Sequence, residues 1–225
     1  MNVGIQILLT EDGSHTLVHP ELDETYHSVH GAIQESKHVF IQAGFTKAIG
    51  LHQTISLLEV GFGTGLNALL TLNEVNDMNI AAHYTGLEPY PVSEKLVAEL
   101  NYPQRIGNAQ VLKNGFMLMH QIGTGVQHRL SSTFTFEKRS DRFQDFKAEP
   151  NSFNLIYYDA FSPEKVPEMW DVSIFKKLYL MMQPGGILVT YCAKGTVRRA
   201  MQHSGFMVER LAGPPGKREI LRAVK

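Results

Sequence analysis

Three glycines at alternate positions, Gly61-Phe62-Gly63-Thr64-Gly65, constrain this chain more than any other feature. A short apolar run with an acid near its end (Ile55, Leu57, Leu58, Glu59, Val60) precedes them. A helical pattern (Leu66, Leu69, Leu70, Leu72) follows. The sequence reads as strand, tight turn, helix. In an open α/β sheet that turn lies at the carboxyl end of a strand, where ligands bind. Glycine lets the backbone take positive φ there and lets a ligand approach closely.

A dinucleotide fingerprint, G-x-G-x-x-G, needs its third glycine at position 66, which is Leu; here it comes at 65. The spacing favours a turn for S-adenosylmethionine (SAM) over one for a nicotinamide or a flavin. On the glycines alone, a purely structural turn stays open. With SAM as the ligand, Gly61, Phe62, Gly63, Gly65 and Asn67 are the expected contacts of the turn.

At 225 residues the chain is one large domain or one domain with an extension. The expected division is an N-terminal extension, hairpin plus helix, over 1–50, packed on a core domain over 51–225. A hydrophobic fraction of 43% is enough for a proper core. A single cysteine, Cys192, rules out an internal disulfide and a Cys-based zinc site. It points to a reducing compartment and reads as a packed strand residue. The ten histidines form no metal spacing, and no metal is expected. Ile5–Leu9 is too short for a secretory signal, lacks a preceding basic residue and is followed by Glu11-Asp12-Gly13. No apolar run approaches the ~20 residues that span a bilayer. The expectation is a cytoplasmic protein. Net charge is −1, yet residues 190–225 hold 8 Lys/Arg against 2 Asp/Glu. A basic end on an acidic body reads either as a nucleic-acid-facing region or as a solvated surface.

Along the chain, Ile5, Ile7 and Leu9 alternate, Glu11-Asp12-Gly13 turns, and Thr16–His19 returns as a hairpin. A helix is predicted from about Ala32 to Ala43. Strands are predicted at Ser56–Val60, His83–Leu87, Phe134–Phe136, Phe153–Tyr158, Ile187–Tyr191, Met207–Leu211 and Glu219–Val224. Helices are predicted at Leu66–Val75, Val92–Leu100, Val172–Met182 (stopped by Pro184-Gly185-Gly186) and Val197–Ser204. Residues 101–130 give only mixed short helix and loop. Alternation of short apolar strands with helices implies a parallel sheet covered on both faces. The loop Gly213–Gly216 is too short for a crossover, so the last two strands must pair antiparallel. It resembles a phosphate loop but lacks the full Walker spacing, and reads as a hairpin connection. The expected fold is a Rossmann-like class I SAM-dependent methyltransferase, a mostly parallel sheet with a C-terminal antiparallel hairpin.

Four carboxylates stand at or just past predicted strand ends, which line one crevice in this architecture. Glu88, some twenty residues after the turn, suits the ribose hydroxyls. Asp141 suits the adenine amine. Glu59 suits the turn itself and, directly or through water, the cofactor's ammonium. Asp159 lies beside the expected position of the sulfonium methyl. Singly, each also reads as a cap or loop residue. Asp159-Ala160-Phe161-Ser162-Pro163 resembles the Asp/Asn-Pro-Pro-aromatic turn of methyltransferases that act on amino groups. An aliphatic amine is protonated at neutral pH and lacks a lone pair. Asp159 is therefore the candidate catalytic residue, orienting the amine and helping take its proton. Phe161 packs on a base or on the substrate's methylene in this reading.

Gly61-Phe62-Gly63-Thr64-Gly65-Leu66-Asn67, Asp159-Ala160-Phe161-Ser162-Pro163 and Glu168-Met169-Trp170 together resemble one family. Asp23-Glu24-Thr25-Tyr26-His27-Ser28, Glu35-Ser36-Lys37-His38-Val39-Phe40, Val197-Arg198-Arg199 and Gly216-Lys217-Arg218-Glu219 match it too. It is the SAM-dependent methyltransferase domain of the bifunctional tRNA 5-methylaminomethyl-2-thiouridine biosynthesis protein. The resemblance runs from about residue 10 to the end. It implies N-methylation of the 5-aminomethyl group of wobble uridine in tRNA, with SAM as cofactor. In the bifunctional proteins an FAD-dependent oxidase follows and produces the amine. This chain ends at Lys225 and looks like a stand-alone methyltransferase. Its substrate would then come from a separate FAD-dependent oxidase or another enzyme. Two departures are Ser140, where the family often has glycine, and Glu88-Pro89-Tyr90-Pro91, which lacks an expected lysine.

With RNA as substrate, Trp170 stacks on a nucleobase or serves as a packed anchor. Lys194, Arg198, Arg199, Lys217 and Arg218 are candidates for phosphate contacts; Pro163 belongs to the substrate loop. A small-molecule amine N-methyltransferase and a non-catalytic SAM-binding, tRNA-associated subunit are the alternatives.

Overall fold

The computed structural model describes residues 4–107 and 109–225. Strands β1 (Gln6–Leu9), β2 (His15–His19) and the short β3 (Glu24–Thr25) form a small antiparallel sheet. Helix α1 (Ala32–Ser36), a π-helical stretch Lys37–Phe45 and α2 (Thr46–Ile49) then run on without a break. Next come β4 (Thr54–Val60), α3 (Leu66–Met78) and β5 (Ala81–Leu87). Helices α4 (Glu94–Glu99), α5 (Tyr102–Ile106) and α6 (Ala109–Gln121) lead to β6 (Gln127–Arg129), β7 (Phe134–Arg139) and β8 (Phe153–Tyr158). A 3-10 helix, Pro167–Trp170, precedes α7 (Val172–Met181), β9 (Met182–Thr190), α8 (Gly195–His203), β10 (Met207–Ala212) and β11 (Glu219–Val224).

The main sheet has the order β10-β11-β9-β8-β4-β5-β7-β6. Strand β4 is parallel to both β5 and β8, and β7 and β9 extend the parallel core on either side. Strand order therefore reverses at β4, which places the ligand crevice at its carboxyl end. As expected, β10 and β11 pair antiparallel, and β11 also runs antiparallel to β9. The short β6 adds a second antiparallel edge, in the stretch whose elements the sequence left unresolved.

Both faces of the parallel strands are apolar, as burial under two helical layers requires. Leu57, Tyr157 and Val189 face a core shared with α3, α6 and the helix of residues 32–49. Leu58, Ile156 and Leu188 face a second core with Phe175, Leu178 and Met201 from α7 and α8. Among the described residues no helix is long and apolar enough to cross a membrane.

Two expected boundaries are corrected. The helix predicted to end at Ala43 continues to Ile49. Gly44 does not stop it. A Cβ there would stand 2.8 Å from Val189, so glycine lets the helix lie directly on β9. Likewise β9 starts at Met182 rather than Ile187. Its register against β8 jumps from Phe153↔Met182 to Leu155↔Ile187, a bulge that absorbs Pro184-Gly185-Gly186.

Backbone pairing of β8 with β4 begins at Leu155↔Leu57. Below it, the buried Asn154 amide takes over: Oδ1 accepts from the Ser56 N–H (2.9 Å) and Nδ2 donates to the Thr54 carbonyl (2.8 Å). Asn154→Ala leaves both groups unpaired, and a loss of about 2 kcal/mol is expected. Urea unfolding should show a lower midpoint at unchanged slope.

Candidate active site

The glycine turn is stitched to both neighbouring strands. Gly61 and Phe62 donate their N–H groups to the Leu87 carbonyl at the end of β5 (3.2 and 2.9 Å). The Asp159 N–H donates to the Val60 carbonyl (2.9 Å). Gly61 has φ +94°, and a Cβ on it would collide with the Asp159 carbonyl oxygen. Glycine is thus what lets the ends of β4 and β8 meet. The Phe62 side chain packs under the turn, 5.5 Å from Phe136 and 5.1 Å from His120 between ring centres.

Above the turn lies a cavity of about 570 Å³, within the usual range for cofactor sites. Its walls are the turn and the loops after β5 (Glu88–Tyr90), β7 (Asp141–Gln144) and β8 (Asp159–Phe161), closed by residues 24–29 from the N-terminal segment. Of the sequence-selected residues, Gly61, Phe62, Gly63, Glu88, Asp141, Asp159, Phe161 and Lys217 line it.

The four acids have distinct settings. Glu88 accepts from the Gly63 N–H (2.8 Å) and the Tyr90 N–H (2.9 Å), and burial raises its pKa. Asp141 accepts from Arg139 Nε (2.8 Å), which holds its carboxyl below the usual range. Glu59 is 0% exposed and lies beneath the turn; Tyr84 donates to one oxygen (2.7 Å) and Asn67 to the other (2.9 Å). It does not line the cavity, so a direct contact with a cofactor ammonium is corrected: Glu59 reaches the site only through Asn67. The same Asn67 Nδ2 donates to Asp159 (2.9 Å). Burial and the nearby Glu35 carboxylate push the Asp159 pKa up to about 7, against the Asn67 hydrogen bond and the Lys217 charge.

Sequence reading did not select several wall residues from the first forty positions. Glu24 accepts from the Ser162 N–H (3.2 Å) and hydroxyl (3.1 Å), tying β3 to the loop after β8. The Tyr26 ring stands edge-on to Phe161, 5.1 Å between centres, and lies over Gly63. His27 Nε2 hydrogen-bonds the Thr64 hydroxyl (2.7 Å), and burial lowers its pKa to about 4. Glu35 pairs with Lys217. Their motifs belonged to the family resemblance, but nothing local in them signals a place in this crevice.

The remaining candidates sit outside the cavity lining. Trp170 is 6% exposed; its indole N–H donates to the Phe161 carbonyl (2.8 Å), and its ring packs on Tyr158 and Tyr191. Base stacking by Trp170 is therefore corrected to the packed-anchor reading. Gly65 and Asn67 support the turn from below, and Pro163 follows the loop. Lys194 is ion-paired with Glu164, Arg198 is half-buried on α8, and Arg199 and Arg218 are exposed.

Residues 133–225 match the model of a family described as S-adenosyl-L-methionine-dependent methyltransferase. The chain is 30% identical over 220 residues to the tRNA 5-methylaminomethyl-2-thiouridine biosynthesis bifunctional protein MnmC of Magnetococcus marinus, covering 91% of this chain and 32% of that protein. Against the protein of the same name from Leptospira interrogans the identity is 29%, over 95% of this chain and 34% of the relative. The fold matches the crystal structure of MnmC2 from Aquifex aeolicus with a TM-score of 0.77 at 24% identity, covering 98% of this chain and 70% of that one. The chain is similar to the methyltransferase part of the MnmC proteins. It spans about a third of the length of the curated relatives it matches. Spermidine synthase from Thermotoga maritima shares the fold more distantly (TM-score 0.54, 12% identity, 94% and 68% coverage).

SAM is the cofactor of the matched family, and the MnmC-like site fits it. The cavity has room for a nucleoside with an amino-acid tail. Gly61 and Gly63 present backbone without side chains. Glu24, Glu35, Glu88, Asp141 and Asp159 give the lining a surplus of acid, and the Lys217 charge is offset by Glu35. Such a lining suits a ligand with a sulfonium and an ammonium group.

A carboxyl whose pKa rises on folding stabilises the fold fully below its unfolded pKa and loses that contribution as pH rises through the folded value. For Asp159 the window runs from about 4 to about 7. Asp159→Asn should therefore stabilise the fold at pH 8.5 by on the order of 2 kcal/mol, with a higher melting temperature, and bring little gain at pH 4. A difference independent of pH in thermal unfolding would contradict the buried setting of Asp159.

Proposed function

We propose that this chain transfers a methyl group from SAM to the 5-aminomethyl group of wobble uridine in tRNA, giving 5-methylaminomethyl-uridine or its 2-thio form. The observation that carries this reading is Asp159. It lines the cavity beside the glycine turn, with a pKa of about 7. An alkylammonium ion must lose a proton before its nitrogen can attack. A carboxylate that titrates near neutral pH pairs with the ammonium, orients it and takes that proton. The names of the MnmC relatives, which refer to this modified nucleoside, support the choice of amine.

When bound, SAM supplies the electrophilic methyl group. The chain's own residues position it and the acceptor. Glu88 takes the ribose hydroxyls, Asp141 the adenine amine, and the Gly61–Gly63 backbone lies against the cofactor. Phe161 and Tyr26 flank the acceptor. Lys194, Arg198 and Arg218, with Arg199, carry phosphate contacts outside the cavity. Lys217 is withdrawn from that group by its place in the cavity wall. A separate FAD-dependent oxidase, or another enzyme that makes an aminomethyl-uridine, supplies the substrate.

Asp159→Ala should keep SAM affinity within about twofold while methyl transfer falls at least ~100-fold. Glu88→Ala should weaken SAM binding by roughly tenfold or more, through lost charge-assisted hydrogen bonds. Calorimetric SAM titration and single-turnover methyl transfer separate the two. Full turnover in the first variant removes Asp159 as proton acceptor; full SAM affinity in the second removes Glu88 from the ribose.

A further inference from the structure

Residues 160–162, which follow Asp159 and include Phe161, lie outside strand and helix, so their backbone lacks the regular pairing of the sheet. Side chains from three separate parts of the chain grip it instead, one residue after another. The Tyr191 hydroxyl, just past β9, donates to the Ala160 carbonyl (2.9 Å). The Trp170 indole N–H donates to the Phe161 carbonyl (2.8 Å). The Glu24 carboxylate, on β3, accepts from the Ser162 N–H (3.2 Å) and hydroxyl (3.1 Å). Asp159 itself is fixed from the sheet side. Its N–H donates to the Val60 carbonyl (2.9 Å), and its carboxyl accepts from the Asn67 amide (2.9 Å).

The three anchors are themselves held. Trp170 is 6% exposed and packs on Tyr158 and Phe175, and the Tyr158 hydroxyl donates to the carbonyl of the adjacent Met169. Burial raises the pKa of the Tyr191 hydroxyl, which keeps it a donor. The Tyr191 ring lies under the Lys217 ammonium, 4.1 Å from the ring centre. Two residues after Glu24, Tyr26 lies over Gly63 and stands edge-on to Phe161, 5.1 Å between centres. One short segment therefore touches both the glycine turn and the loop after β8.

We propose that Glu24, Trp170 and Tyr191 are positioning residues, a three-point clamp on the backbone of residues 160–162 that sets where the acceptor amine stands relative to the cofactor methyl. The proposal rests on the amine-methylation reading above. Transfer needs nitrogen, methyl carbon and sulfur in line at close range. The acceptor ammonium gives one proton to Asp159. The freed lone pair forms the N–CH₃ bond as the S–CH₃ bond breaks, with that electron pair remaining on sulfur, and Asp159 passes its proton to water. A misplacement of about 1 Å costs on the order of 100-fold in such a step. A grip on main-chain atoms fixes the path of the loop, and with it the places of Asp159 and Phe161.

Tyr191→Phe removes one hydroxyl and keeps the ring under Lys217. Glu24→Ala removes the grip on Ser162; Glu24→Gln keeps an oxygen for its N–H and an amide donor for its hydroxyl. The test measures single-turnover methyl transfer to aminomethyl-uridine tRNA at saturating SAM and tRNA, beside calorimetric affinities for both. Trp170 is the only tryptophan, so its indole N–H gives one resonance in a ¹H–¹⁵N spectrum and reports on the Phe161 contact. The proposal expects Tyr191→Phe, Glu24→Ala and Trp170→Phe each to lower the rate roughly tenfold or more, with both affinities within about threefold. The first two should also shift or broaden the indole resonance, and Glu24→Gln should recover most of the rate.

A clamp that only braces the fold lowers the melting temperature and leaves the rate within about twofold. That result overturns the proposal, as does a loss of rate that weaker SAM or tRNA binding accounts for entirely. An indole resonance unmoved in both Tyr191→Phe and Glu24→Ala overturns it as well. If the parent protein transfers no methyl group to this tRNA, the substrate reading falls, and the indole resonance alone decides for or against the clamp.

Discussion

A single side-chain amide ties the sheet to the site. Asn67, the second residue of α3, places one Nδ2 hydrogen on Glu59 and the other on Asp159. Glu59 belongs to β4 and Asp159 follows β8, so this amide pins two strand ends and a helix start together. Glu59 is buried and Asp159 half-buried, and desolvation raises the proton affinity of both. Without the amide they would face each other with no shared donor, and unpaired carboxylates in a low-dielectric site are costly. Gly61 makes the arrangement possible from the other side, because any side chain there would drive the Asp159 backbone away.

The cavity is closed by segments that do not belong to the parallel sheet. Residues 24–29 lie across the glycine turn, and the loop between β10 and β11 reaches back to meet α1. Glu24 grips Ser162, Tyr26 covers Gly63, and Glu35 receives Lys217. A Rossmann-like sheet alone would leave the carboxyl end of β4 open to water. Here the N-terminal segment and the last hairpin exclude much of it. Desolvation of this kind raises the proton affinity of Asp159 and strengthens each charge interaction inside the site. The stability lost between about pH 4 and about pH 7 through Asp159 is the counterpart of a carboxyl that titrates near neutral pH.

Much of this was legible in the sequence, for identifiable reasons. Strands β4, β5 and β8 announce themselves by short runs and β7 by alternation, and each has an acid at or just past its end that lies near the end of β4. The glycine spacing marks the turn because positive φ is a local requirement. The loop between β10 and β11 is too short for a crossover, so its antiparallel pairing follows from length alone. What was hidden depends on contacts between distant residues. Gly44 looks like a helix end but serves close packing on Val189. Pro184-Gly185-Gly186 looks like a stop but is carried in a bulge. Trp170 looks like a stacking platform, yet it is buried under the loop it holds in place. Lys217 reads as surface charge until Glu35, 182 positions earlier in the numbering, is seen to neutralise it.

The most direct test incubates the purified protein with methyl-labelled SAM and tRNA from cells lacking this gene, with the aminomethyl-uridine precursor present. The tRNA is then digested and the labelled nucleoside identified. The account predicts label in 5-methylaminomethyl-uridine or its 2-thio form and in no other nucleoside. SAM bound by the protein but no label in that nucleoside would contradict it.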